Sequence, residues 1–451
     1  MRTLLRKLDE HWFAPASLRD LAIARIVVAG TQLVLLLYST LVGEAGPCPG
    51  CSLRYQLWLT EIDPELFMPL PALRLSLLPF GGWEARPDPL FIQAVWVAGV
   101  VAGVMAVVGL YTRLSMLVLA GASTLLVAHS YSYQELHHPE AALIIVLWVL
   151  ALGPSGAALS LDSLRLRLHD VLRARRFSPA QPGEAMSTFA RWPLRTAQWL
   201  IALVYLSAAL SKLVVGGRDW YNGYTLTYYL AQDGIRHSRD VGLFLAGYPT
   251  LGSVMAVLTV AFELGFFLAV LVPGLAWLFV LGGTLLHASI YIAMGAPFLQ
   301  SVLLYVVFLE PLRRTFRRLV PERSPSPRDR WLVLYDGFCP LCLRSVVLLE
   351  ALDVRRRLEF ADLEREWPEQ ALAGAGVTRD DARRAMHVVD PDGRIYRGFF
   401  AFREFARLLP PLWITLPLFY APGASRLGPW IYDHIARNRS RAVCDFETCE
   451  L

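Results

Sequence analysis

Lysine is nearly missing from this chain: of 43 basic residues only Lys7 and Lys212 are lysines, the rest arginines. That skew follows codon composition and carries no function of its own. Charge is also scarce, 18% of residues against 55% hydrophobic, which excludes a soluble globular protein. The net charge of +5 gathers beside apolar runs, so it reports membrane orientation and no nucleic-acid partner is expected. No internal repeat stands out. The first apolar run lacks a polar cleavage region, so no removable signal peptide is expected. No cysteine is solitary: the six fall into the close pairs Cys48/Cys51, Cys339/Cys342 and Cys444/Cys449. Pairing of this kind favours thiol chemistry or local disulfides over inert buried thiols.

What is abundant is apolar sequence in long runs. A helix needs roughly 20 residues to cross a bilayer. Eight runs are read as spans, at about 20–42, 90–110, 114–131, 140–157, 196–215, 251–272, 274–293 and 297–310. Arginines cluster before the first span, in the linker around 158–195 and after the last span, while loop 43–89 is acid-rich. The positive-inside rule then puts both termini and the 158–195 linker in the cytoplasm, with loops 43–89, 132–139 and 217–250 outside. The basic clusters make membrane lipid an expected partner.

The expected organisation is a multi-pass α-helical membrane bundle over 1–312, a basic, proline-containing linker over 313–329, and an α/β domain over 330–451. In that last domain the pattern reads strand 331–335, helix 341–352, strand 358–363 and a polar helical stretch near 364–384. A hairpin of strands 386–390 and 394–398, turned by Asp390-Pro391-Asp392-Gly393, and a helix at 399–409 complete it. This is the thioredoxin order. Leu334-Tyr335-Asp336-Gly337-Phe338-Cys339-Pro340-Leu341-Cys342 carries a strand straight into a Cys-x-x-Cys helix start. There the free backbone N–H groups and the helix dipole stabilise a thiolate. Cys339 is the expected nucleophile and Cys342 the resolving thiol; the alternative is half of a zinc site. Asp336 either tunes the thiols or shuttles a proton, or it caps the turn before the helix.

Tyr335-Asp336-Gly337-x-Cys339-Pro340-x-Cys342, then Gly393-x-Ile395-Tyr396-x-Gly398 and Tyr432-x-x-Ile435-Ala436-x-Asn438-Arg439, resemble the DCC family of thiol–disulfide oxidoreductases. The resemblance covers 330–445 and implies a thioredoxin-like fold with Cys339 and Cys342 as the redox pair. Its partner would be a protein or small-molecule thiol or disulfide. One departure from ordinary thioredoxins is that Ala385-Met386 stands where they carry a proline facing the disulfide. Cys444 and Cys449 form a second dithiol, complete a four-cysteine zinc site, or are two thiols on a mobile tail. Cys48 and Cys51 form an outer disulfide, act as a dithiol, or pin a loop rich in proline and glycine.

Lys212 lies in the fifth apolar run, where an ionisable group is costly and a functional candidate by default. The alternative is snorkelling to the interface. Ser211-Lys212-Leu213, Asp219-Trp220-x-x-Gly223-Tyr224, Tyr228-Tyr229-Leu230 and Phe262-Glu263-Leu264, with His287, resemble the vitamin K-dependent gamma-carboxylase and its bacterial HTTM-domain relatives. On that resemblance Lys212 is a base acting on a quinol, His138 matches the catalytic histidine, and a quinone is the implied cofactor. The expected location is the bacterial inner membrane, with the redox domain cytoplasmic by the positive-inside rule. By itself, His287 reads as a hydrogen-bonded core histidine near Thr284 and Tyr291, and Glu263 needs a partner such as an arginine or histidine. The chain lacks a large domain outside the membrane to hold a glutamate-rich protein substrate. The leading expectation is a membrane-bound thiol–disulfide oxidoreductase. The alternatives are a lysine-base quinol oxygenase or carboxylase with an accessory redox domain, and a non-enzymatic factor for peptide-toxin maturation or immunity.

Overall fold

A computed structural model describes residues 2–38, 51–81, 86–133, 138–179, 186–319, 329–365, 368, 377–439, 443–445 and 448–450. The chain divides into two compact units, 1–162 with 184–321 and 163–183 with 322–451.

The first unit is helical. Six helices are long and apolar enough to cross a membrane: Leu18–Leu37, Pro89–Val108, Thr112–Tyr131, Thr188–Tyr221, Pro249–Leu271 and Pro273–Met294. Two of the eight expected spans are not confirmed among these helices. The fourth run forms a shorter helix, His138–Leu152, which stops before Gly153-Pro154. The eighth breaks into Leu299–Leu303, a tight turn over Leu304–Phe308, and Leu309–Leu319. Only 13 residues separate Pro297 from Pro311, and these make about 20 Å of helix against a hydrocarbon core of about 30 Å.

Several charged groups inside this unit are matched. Arg25, fully buried, donates to the carbonyls of Ser155 at 2.9 Å and Leu159 at 2.6 Å. Asp20 pairs with Arg313, and Arg191 pairs with Glu310 at 3.1 Å. A short ladder joins β1 (Ala16–Ser17) to β2 (Met186–Ser187), tying two helix starts together.

The second unit holds a sheet of β3 (Trp331–Tyr335), β4 (Leu358–Asp362), β5 (His387–Val389) and β6 (Ile395–Arg397) in the order β4-β3-β5-β6. β4 runs parallel to β3, while β5 and β6 are antiparallel to their neighbours. Alternation along β3 decides its two faces. Val333 and Tyr335 pack with Val346 of helix Pro340–Leu352 and Phe405 of helix Phe399–Leu408. Leu334 packs oppositely with Leu363, Ala382 and Val389. The β5–β6 hairpin turns where expected: Asp390 Oδ1 accepts from Asp392 N and Arg394 N, and Gly393 takes φ +82°. β7 (Val443–Asp445) and β8 (Thr448–Glu450) pair antiparallel in a separate two-stranded sheet, with Cys444 opposite Cys449 in backbone register.

Residues 163–179, read from sequence as part of a linker, are structural. Val171 and Phe177 are buried in the core around β3. The Phe177 ring meets Tyr335 and Phe360 edge-on at 5.9 and 5.2 Å, and Arg167 reaches Glu350 at 3.3 Å. The arginines marked this segment as a cytoplasmic linker, but helix Leu161–Ala174 carries an apolar stripe of Leu164, Leu168, Val171 and Leu172 against that core.

Candidate active site

Local sequence places the dithiol. β3 ends at Tyr335, and Asp336 Oδ1 accepts from Phe338 N at 3.0 Å, the turn-capping geometry. Asp362, at the parallel position on β4, crowds the same turn. A Cβ on Gly337 would stand 2.2 Å from an Asp362 carboxylate oxygen, so any larger residue would have to push that carboxylate aside. Pro340 then opens the helix at a position whose N–H is not needed. Cys339 is the residue immediately before it, and its sulfur accepts from Cys342 N at 3.3 Å. The two thiols are free of disulfide bonding and both are buried.

The electrostatics separate the two sulfurs. The Cys342 S–H donated to Cys339 lowers the Cys339 pKa to about 6, helped by the Cys342 backbone N–H and the Arg439 charge, against burial and Asp336. Cys342 is held well above the usual thiol range because it gives that hydrogen bond, and because it is buried. Near neutral pH the site therefore holds one thiolate and one thiol, an attacking and a waiting sulfur. Burial also raises the pKa of Asp362.

Residues 333–445 match the family model of the DCC1-like thiol–disulfide oxidoreductases. An uncharacterized chloroplastic protein of Arabidopsis thaliana is 28% identical over 123 residues, which are 26% of this chain and 55% of that relative. The chain thus matches about half the length of this curated relative. No solved structure matches the chain.

Away from the DCC1-like domain, the first unit gathers a second set of polar side chains. Helix Arg191–Ser211 passes into a π turn at Lys212–Gly216, a widened turn of the kind common at functional positions. Lys212 Nζ donates to both Glu263 oxygens, at 2.7 and 2.9 Å, and lies 5.3 Å from the centre of the Trp220 ring. The partner for Glu263 is therefore Lys212, where an arginine or histidine was expected. The Tyr205 hydroxyl bonds His287 Nε2 at 3.0 Å and also the Tyr305 hydroxyl. His287 is hydrogen-bonded as expected, but to Tyr205 of another helix, and it stacks on Phe298 at 5.1 Å. Thr284, by contrast, bonds back to the Val280 carbonyl. Lys212, Glu263, Tyr205, His287 and Tyr305 all line one cavity of about 800 Å³ with mainly apolar walls.

Tyr205, Tyr305 and Trp220 were missed as site residues by reading the sequence. One signal was present: Tyr205 precedes Lys212 by seven residues, two helical turns, and so shares its face. His138 opens helix His138–Leu152, but its side chain lies outside the described residues. Cys48, and the side chains of Cys51, Cys444 and Cys449, lie outside them as well. Among the described residues, no group of three or more His, Cys, Asp and Glu side chains is placed to hold a metal.

Proposed function

We propose that this chain is a membrane-bound thiol–disulfide oxidoreductase whose DCC1-like domain is thioredoxin-like, with Cys339 as nucleophile and Cys342 as resolving thiol. The observation that carries it is the Cys339 sulfur at a helix start, accepting the Cys342 N–H with its pKa lowered to about 6. The sheet order, with one parallel and two antiparallel neighbours, supports the fold assignment. Asp336 acts mainly by shaping the turn, and its charge opposes ionisation of both thiols. The partner is a protein or small-molecule disulfide. The six apolar helices support a multi-pass protein, which we place in the bacterial inner membrane with the dithiol cytoplasmic.

The test is a redox titration of the full-length protein in detergent, following Cys339 and Cys342 by mass-tagging. A reversible two-electron transition that Cys339→Ser abolishes is expected. No transition, with stoichiometric zinc on the thiols, would replace this reading with a non-enzymatic metal-binding factor.

A second reading is favoured by the cavity in the first unit. Its volume is ample for a lipid-like ring. Its donors, the Tyr205 and Tyr305 hydroxyls, His287 and the Lys212–Glu263 pair, fit the oxygens of a quinone or quinol. Such a group would supply two-electron chemistry when bound. In that role Lys212, partnered by Glu263, would hold or accept a proton, as the resemblance to the HTTM and gamma-carboxylase proteins suggests. Loss of quinone binding in Lys212→Ala, with the dithiol still cycling, would support it; unchanged binding would remove it.

A further inference from the structure

We propose that Arg439 is the catalytic residue of the resolving step, the cation that lets Cys342 ionise once Cys339 is tied up in a mixed disulfide. The inference rests on the oxidoreductase reading above and assigns a residue to its second half.

The geometry is specific. Arg439 lies 97 positions after Cys342 in the chain, yet its Nη1 donates to Cys342 Sγ at 3.2 Å. Its Nη2 donates to the Arg383 carbonyl. Arg383 is itself fixed by two bonds to Glu364, both 2.8 Å. The preceding helix, Ala424–Arg437, is anchored on the same side of the site. The Tyr432 hydroxyl accepts from Met386 N at 2.9 Å, and its ring lies so close to Gly398 that a Cβ there would stand 2.9 Å from it. Gly428 leaves similar room for the Phe399 ring. The guanidinium is thus held in place rather than swung on a free side chain.

The reaction shows why a cation belongs there. In the first step the Cys339 thiolate attacks one sulfur of a substrate disulfide. A Cys339–S bond forms, the substrate S–S bond breaks, and one substrate thiolate leaves. Cys339 then carries no charge, and the Cys342 S–H has lost the anion it was bonded to. In the second step Cys342 gives its proton to the departed thiolate and attacks Cys339 Sγ. The Cys339–Cys342 disulfide forms, the second substrate thiolate leaves, and two electrons have passed from the dithiol to the substrate. Cys342 is 5% exposed, so its anion gains little from water. The Arg439 guanidinium, already within hydrogen-bond distance of that sulfur, supplies the missing stabilisation.

The test uses the reduced full-length protein in detergent and dithiobis(nitrobenzoate) as the disulfide. The adduct on Cys339 is followed by mass in tryptic peptide 331–344. Arg439→Gln is expected to lengthen the adduct's lifetime about tenfold at neutral pH, one unit of thiol pKa, with the wild-type rate regained as pH rises. Arg439→Lys keeps the charge and should retain most of the rate. That variant also covers the case in which the glutamine form does not fold. An adduct that decays as fast in Arg439→Gln as in wild type overturns the proposal. So does slow decay in both variants that pH does not relieve, because it makes the tie to Arg383 the role of this side chain. A wild-type protein that forms no adduct removes the oxidoreductase reading itself. A wild type that forms and resolves one, with Arg439→Gln unchanged, removes only the assignment of Arg439.

Discussion

Two regions of this molecule bury ionisable side chains and treat them in opposite ways. At the dithiol a single anion is favoured on Cys339 chiefly by S–H and N–H donors, with the Arg439 charge helping and no direct ion pair to it among the described residues. In the first unit Lys212 and Glu263 neutralise each other at 2.7 Å, with the glutamate side chain 7% exposed. A poised charge can react at once; a paired charge must first be released from its partner. Burial alone therefore does not mark a reactive group, and the identity of the nearest partner does.

The sharpest way to break the comparison is to strip one member from the pair. Glu263→Gln should destabilise the first unit by about 4 kcal/mol, because it strands a cation that is mostly out of water. The double variant Lys212→Met with Glu263→Leu should recover most of that loss. Thermal melts of the two proteins in one detergent decide it; equal melting of Glu263→Gln and wild type would mean the pair is already solvated.

Next in size is the packing behind the dithiol. Phe177→Ala should cost the second unit about 3 kcal/mol, the usual price of deleting a core aromatic ring. By the same logic a fragment beginning at 328 should be less stable than one to which 163–183 is restored. Denaturant titration would show this, and indifference to Phe177 would return the segment to the role of a tether.

The smallest effect tests the poise of the thiolate. Cys339 alkylation should rise about tenfold between pH 5 and well above pH 6, then level off, since the thiolate is the reacting form. The sign follows from the lowered pKa: reactivity is lost as pH falls through about 6. Peptide-resolved mass spectrometry reads it, and a midpoint near the ordinary thiol value would undo the contrast between the two regions.

The DCC1-like domain was the more legible region. Its strand–Cys-x-x-Cys–helix unit, hairpin turn and element order lie within contiguous stretches, where period and turn chemistry act over a few residues. The first unit was legible in its apolar runs, six of which form helices long and apolar enough to cross a membrane. The run between Pro297 and Pro311 is apolar but short, and the structure does not confirm it as a span.

The sequence by itself determined which residues could do chemistry and which local backbone would present them: Cys339 before a helix, Lys212 in an apolar run. Only the tertiary structure decided their partners. Glu263 meets Lys212 across 51 positions, Arg439 meets Cys342 across 97, and Phe177 closes a core whose strands begin at 331. Such meetings depend on how many distant side chains pack at once, and helical or strand period fixes only the face a residue presents, not what comes to cover it.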